Sequence, residues 1–382
     1  MAVVPARLPA GRARRRAGAA AFLLVLAVLF TLYLRLSKTY PENSDEANIL
    51  LMASDLAHGN LYLSGWNVSD VPFISTELPE IALLVRLFGL HPNTAHIAAA
   101  LTYTLVVATA LLLSSGGAAS PTPGGPRRYP LVRMGIVLAI MLAPQPGVGV
   151  FVLIFSVGHI GTAVPVMLCW LFLDRCWPPG PASTASGWYV PPAAGLLLAW
   201  GLLADPLVLV VAVGPLLAVP LARAVPGLAA GLRGGRGLRP VAPALAARGR
   251  ELSLAAAAVA AYLAAGCGQR LLRAAGGYTQ PPVPFRPDPV STWYGHSRIA
   301  AHALLEMFGA FPLPGNAVNY LSPGRYAAAP PLNGFTEAVA VSRLACVALA
   351  GWGAIAVARR FFRPDADLVS QLLLAGLAAN LA

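Results

Sequence analysis

The fold that this sequence predicts is an all-α integral membrane protein, a polytopic helical bundle of about nine spans. Three observations lead there. Of 382 residues, 57% are apolar and only 11% charged, too little polar surface to solvate a globular domain of that size. The apolar residues arrive in long uninterrupted blocks, as lipid-spanning helices require. The arginines fall in short clusters between those blocks, the pattern of cytoplasmic loops. That placement also argues against nucleic acid as a partner, although the net charge is +12. Richness in Ala, Gly, Pro and Arg, with Lys38 as the lone lysine, is the bias of a high-GC, actinobacterial-type proteome.

Residues 1–16 form a basic tail, with Arg12, Arg14, Arg15 and Arg16 ahead of an apolar run. The run from 17 to 37 passes into Arg35 and Lys38 without a small-x-small cleavage site, so it reads as a retained first span and not a removed signal. The polytopic domain then occupies 17–382. Its later spans are expected at about 93–115, 131–145, 148–173, 187–204, 206–223, 251–273, 335–358 and 366–382. With a cytoplasmic N-terminus, the even-numbered spans end inside. Arg127, Arg128, Arg133, Arg175, the cluster from Arg223 to Arg250, and Arg359, Arg360 and Arg363 then share one side, as the positive-inside rule expects. Arg270 and Arg273 are the exception. The expected location is the plasma (inner) membrane, with lipids as partners. The chain stops inside its last apolar run, which predicts that the natural protein continues. The four cysteines lie in or beside apolar spans without metal-ligand or pairing spacing.

Two external loops follow from this drawing, 38–92 and 275–334. The first holds Glu42, Asp45, Glu46, Asp55, Asp70, Glu77 and Glu80 against Lys38 and Arg86. Asn43 or Ser44 can cap a helix there, with Glu46 three residues after Asn43 as in a capping box. Ile49, Leu50, Met52, Ala53, Leu56 and Ala57 give that helix an apolar face, and Gly59 ends it. A second amphipathic helix is expected from about Leu78 to Phe88, with Ile81, Leu84, Val85 and Phe88 on one side. Both helices suit a membrane surface. Acids in a first helical turn complement the macrodipole and need no chemistry. A carboxylate just outside a span is also what deprotonates a hydroxyl, or holds a metal, beside a lipid-borne substrate. Within the fourth span, His159 is either functional or bonded to a neighbouring helix. Asp205, before Pro206, either caps the sixth span or lines the cavity that faces the first loop.

The order of pieces in 17–115 resembles the GT-C class of membrane glycosyltransferases, which includes the protein O-mannosyltransferase and aminoarabinose transferase families. The matching pieces are Asp45-Glu46-Ala47, the helix end from Ala53 to Gly59, Gly65-Trp66, Leu78-Pro79 and Leu87-Phe88-Gly89, followed by Asn93-Thr94-Ala95-His96-Ile97. The resemblance implies an inverting transferase that moves a sugar from a polyprenyl-phosphate donor to a hydroxyl of an extracytoplasmic glycan, lipid or protein. It implies Asp45 as general base with Glu46 as helper or cap. Arg286, His296 and Arg298 in the late loop become candidates to neutralise the leaving phosphate. Trp66, Trp293 and Tyr294 become sugar-stacking candidates, and Asp70 and Asp205 further substrate-binding ones. A divalent metal is possible chemistry for such a site. The same aromatics also suit an interfacial belt, and the arginines suit lipid headgroups. Two departures stand out. Glu77 and Leu78 precede Pro79, where family members often carry a basic residue. The spans are also fewer than such enzymes usually have. The rival readings are a transporter or permease, and a non-catalytic protein with a degenerate glycosyltransferase fold.

Overall fold

A computed structural model of the chain describes residues 10–40, 44–116, 130–145, 148–154, 159–177, 187–233, 248–280, 289–310, 334–363 and 366–381. Nearly all of it is helix. The first apolar run is α1 (Ala10–Ser37). The first loop folds into α2 (Ser44–Ala57) and α3 (Glu77–Phe88), joined across the short strand β1 (Asn67–Val68). There follow α4 (Pro92–Ser114), α5 (Pro130–Met141), α6 (Val148–Leu153), α7 (Ile160–Cys176) and α8 (Val190–Ala204). A π-helical turn (Leu209–Val213) leads into α9 (Gly214–Arg233), and α10 is Gly249–Ala274. Strand β2 (Tyr278–Thr279), α11 (Val290–Met307), α12 (Gly334–Ala358) and α13 (Leu368–Leu381) complete the chain.

Each expected span contains helix among the described residues, but the helices differ in length. Four are long and apolar enough to cross a membrane: Arg16–Ser37, Pro92–Ser114, Gly249–Ala274 and Glu337–Ala358. The segments Pro130–Met141, Val190–Ala204, Leu209–Val225 and Leu368–Asn380 are shorter apolar helices. The stretch expected as one span over 148–173 is two helices, α6 and α7, with His159 in the left-handed region at φ 64° just before α7. The late loop is not irregular throughout, because α11 occupies eighteen of its residues.

Three apolar cores hold these elements. One joins α7, α8, α9, α10 and α13 around Trp170, Leu198, Leu216, Leu254 and Leu372. Small residues allow the close approaches. A Cβ at Gly195 would stand 3.0 Å from the Ala257 carbonyl oxygen of α10, and one at Gly201 3.3 Å from the Pro165 ring of α7. A second core joins α1, α4, α5 and α6 through Tyr33, Tyr103 and Ile154. The third lies within the first loop and docks it on the start of α4. Its buried members Ile49, Leu50, Met52, Ala53, Ile81, Leu84 and Val85 belong to the expected apolar faces, whereas Phe88 is exposed. Gly59 and Gly89, both at positive φ, end α2 and α3 as expected. Asn43, one of the two proposed caps of α2, lies outside the described residues.

Two further contacts orient the bundle. β1 pairs in parallel with β2, Asn67 opposite Tyr278 and Val68 opposite Thr279, and Ser64 bridges Gly277. The first loop and the start of the late loop are thereby on one side of the molecule. At the C-terminal ends of α4 and α7 the arginines meet. Arg175 donates to the Leu112 carbonyl at 2.8 Å and to Ser115 Oγ at 2.9 Å, and Arg133 to the Ser115 carbonyl at 3.4 Å. The Arg250 guanidinium lies 4.3 Å over the Trp177 ring. Cations at helix C-termini are favoured by the exposed carbonyls and the helix dipole.

Candidate functional site

The described carboxylates of the first loop do not share one environment. α2 starts at Ser44, so Asp45 and Glu46 both fall in its first turn, where acids favour the helix dipole. Consecutive helical residues point about a quarter turn apart, and here that divides them. Asp45 is exposed, while Glu46 is turned inward and only 1% exposed. Further along, Asp55 Oδ2 accepts from the Trp66 indole N–H at 2.8 Å and from Asn60 at 3.2 Å. Those bonds hold the Asp55 carboxyl below its usual range. Trp66 is therefore fixed against the end of α2, half-buried, with its N–H already taken.

The densest polar cluster forms where the first loop meets α7 and α8. Glu77 opens α3 and is buried. Its Oε1 accepts from the Gly161 amide of α7 at 2.8 Å, and Thr76 Oγ1 donates to its other oxygen. His159 supplies no side-chain cap to α7, so Glu77 caps that helix from another element, anion against N-terminus. Only glycine permits this, because a Cβ at 161 would overlap the Glu77 carboxylate. Burial pushes the Glu77 carboxyl up, opposed by its hydrogen bonds to Thr76 and Gly161. Glu80, one turn on, accepts from Thr102 of α4 at 2.8 Å. Burial pushes its carboxyl up to about 7, with the neighbouring Glu77 charge adding to the effect.

Asp205 closes α8 and is 1% exposed. Its Oδ1 accepts from the Leu207 amide at 2.8 Å, which caps the turn into the next helix. Its Oδ2 meets His159 Nδ1 at 2.7 Å and Thr162 Oγ1 at 3.3 Å. The expectations for both residues are thus joined: Asp205 caps, and His159 bonds a neighbouring helix. The His159 ring stays 46% exposed while its Nδ1 is held by Asp205. Phe73 of the first loop meets that ring edge-on, with centroids 5.9 Å apart, and its amide donates to the Ala204 carbonyl at 3.2 Å. Ser75 and Trp200 exchange hydrogen bonds in the same seam. Asp70 is half-buried and lies within electrostatic reach of His159. An aspartate-held imidazole of this kind can accept or donate a proton at its free nitrogen.

The late-loop candidates occupy another part of the molecule. Trp293, Tyr294, His296 and Arg298 are exposed on α11, which packs chiefly on α6 and α13. Arg286 lies outside the described residues. Of the residues proposed for the site, the structure brings Asp70 and Asp205 to one seam. It leaves Asp45 exposed at the start of α2, Trp66 at the end of α2, and the α11 set elsewhere. Glu77, Glu80, Thr162 and His159 belong to the seam but were absent from the proposed set. The acid before Pro79, in place of the resemblance's basic residue, was the one sequence signal for Glu77. Among the described residues no group of three or more His, Cys, Asp or Glu side chains fits a metal ion. No family model, no curated protein and no solved structure matches the chain.

Proposed function

We propose that the chain is an inverting membrane glycosyltransferase that moves a sugar from a polyprenyl-phosphate donor to an extracytoplasmic hydroxyl. The observation that carries this reading is the folded state of the acid-rich first loop. It is no mobile linker but a cap, fastened to α7 and α8 through Phe73, Ser75 and Glu77 and to the late loop through β1 and β2. Its carboxylates are therefore held at fixed positions over one end of an apolar bundle, where a lipid-borne substrate presents its head. Asp45, the exposed acid of the first turn, takes the proton of the acceptor hydroxyl. The freed oxygen attacks the anomeric carbon, the bond from that carbon to phosphate oxygen breaks, and polyprenyl phosphate leaves with the electron pair.

The topology proposed with it is a plasma-membrane protein of about nine spans with a cytoplasmic N-terminus. The β1–β2 pairing supports that drawing. Two loops on one side require an even number of crossings between them, and the second to seventh expected spans supply six. The meeting of Arg133, Arg175 and Arg250 at one end of the bundle fits a cytoplasmic face.

A permease is the second reading, and specific observations favour it. A helix broken before α7, a π turn before α9 and a buried carboxylate beside the break are features of transporters. In transporters these lie near the bilayer midplane. Here they meet Phe73 and Glu77 of the loop cap, which suits work at the membrane face. Asp45→Asn tests the enzymatic reading in the cell. The expected result is loss of glycan from cell-envelope material at unchanged protein level. Unaltered glycosylation refutes the role given to Asp45.

A further inference from the structure

An arginine inside a membrane-spanning helix is costly and is retained where it meets an anion or lines a pathway. Arg343 is such a residue. It lies six positions into the candidate span Glu337–Ala358, about 9 Å along the axis at 1.5 Å per residue. Among the described residues it forms no salt bridge and no hydrogen bond. The segment 311–333 that precedes its helix contains neither Asp nor Glu. Glu306, at the end of α11, is engaged by His302 at 3.2 Å.

The guanidinium is half-buried and rests beside Gly309, whose φ of 61° ends α11. A Cβ at 309 would collide with Arg343 Nη1 and stand 3.0 Å from Gln145 Oε1, so both side chains fill the room that the glycine leaves. The Gln145 amide donates to the Met307 carbonyl at 2.9 Å, which fixes this wall. Tyr103 lies within electrostatic reach on the other side. Its hydroxyl donates to the Met141 carbonyl at 2.9 Å, and Tyr33 reaches the same carbonyl at 3.4 Å. Tyr33 is four residues from the end of α1 that leads into the first loop, which sets Arg343 toward the loop-capped end of the bundle.

We infer that Arg343, with Gln145 beside it and Gly309 admitting both side chains, forms a binding site for the phosphate of a membrane lipid. A planar guanidinium with five donors suits a phosphate better than a lone carbonyl does. The site extends the proposed donor chemistry. It supplies the cation for the leaving phosphate that Arg298 and His296, exposed on α11, were expected to supply. The phosphate source is either a polyprenyl phosphate or the headgroup of a bulk phospholipid, and the chemistry is shared.

The test uses the full chain in nanodiscs of neutral phosphatidylcholine, with binding of a fluorescent polyprenyl phosphate as the readout. Wild type binds it, and unlabelled polyprenol, which lacks the phosphate, does not compete. Arg343→Gln weakens binding about tenfold or more, as loss of charge-assisted hydrogen bonds does. Arg343→Lys keeps the charge but not the fork and loses less. Gly309→Ala, whose methyl displaces the guanidinium, also weakens binding. Thermal unfolding of each variant separates loss of the site from loss of the fold, and the graded Gln and Lys effects are read only on variants that melt as wild type does. Competition by phosphatidic acid as strong as that by polyprenyl phosphate assigns the site to bulk headgroups. Weaker competition assigns it to the donor. Binding by Arg343→Gln equal to wild type, or equal competition by polyprenol, overturns the inference. A wild type that binds polyprenyl phosphate yet transfers no sugar sinks the glycosyltransferase reading and leaves the phosphate site standing.

Discussion

Glu80 gives the residue-scale prediction with the clearest sign. Its carboxyl titrates at about 7 in the folded protein against 4.5 for the ordinary group, because burial disfavours the charged form. Between those values the folded chain binds more protons than the unfolded one. Stability is therefore highest below the lower value and falls as pH rises through the window. The melting temperature in detergent is expected to be lower at about pH 8 than at about pH 5, with Glu80→Gln flattening that difference. An unchanged slope in the variant would remove Glu80 as its source. Thr102 donates to one carboxyl oxygen, while the other is buried without a hydrogen-bond partner among the described residues. At this scale the sequence was only partly legible. Glu77 drew notice as an acid where a base was expected, but its partner Gly161 lies 84 positions away. Nothing local to either residue signals the other. Asp205 and His159 were each left between two readings, since a side chain's bonding to a distant helix end leaves no mark on periodicity.

The helices themselves were largely legible, for a definite reason. Their apolar blocks are bounded by Gly, Pro or Arg, and the caps of α2 and α3 at Gly59 and Gly89 follow from the need for positive φ. What hydropathy could not reveal is the division of 148–173 into α6 and α7, because Ile154, Gly158 and Ile160 keep the stretch apolar throughout. His159 takes the left-handed conformation just before α7, and Glu77 caps the new helix start. The contact between α3 and α7 can be tested at element scale. Gly161→Ala drives a Cβ into the Glu77 carboxylate and is expected to cost about 1–3 kcal/mol, as overpacking does. Glu77→Ala removes a cap and costs about 1 kcal/mol. Because both act through one contact, the double variant should cost less than the sum of the two in a thermal-unfolding cycle. Strict additivity would show that the carboxylate does not hold α7.

Across the whole molecule, the loop cap and the bundle make one unit. The cap's own apolar core runs from Ile49 and Phe73 through Ile81 into Ala95 and Ala98 of α4, and the parallel pairing of β1 with β2 ties it to the segment after α10. Apolar composition and arginine placement made the membrane character legible in advance, because both are properties of the chain as a whole. The pairing of the two loops was not legible, since strands of two residues carry no alternation to read. The arrangement leaves Asp45 exposed on the cap and Arg343 half-buried on its span. The account's central claim, sugar transfer from a lipid phosphate, rests on the cap being catalytic. The most direct test supplies the purified full chain in proteoliposomes with a polyprenyl-phosphate sugar and an envelope extract as acceptor, and measures release of free polyprenyl phosphate. Release by wild type that falls at least about a hundredfold in Asp45→Asn, in keeping with loss of a general base, is the predicted result. Equal release by both proteins would contradict the account.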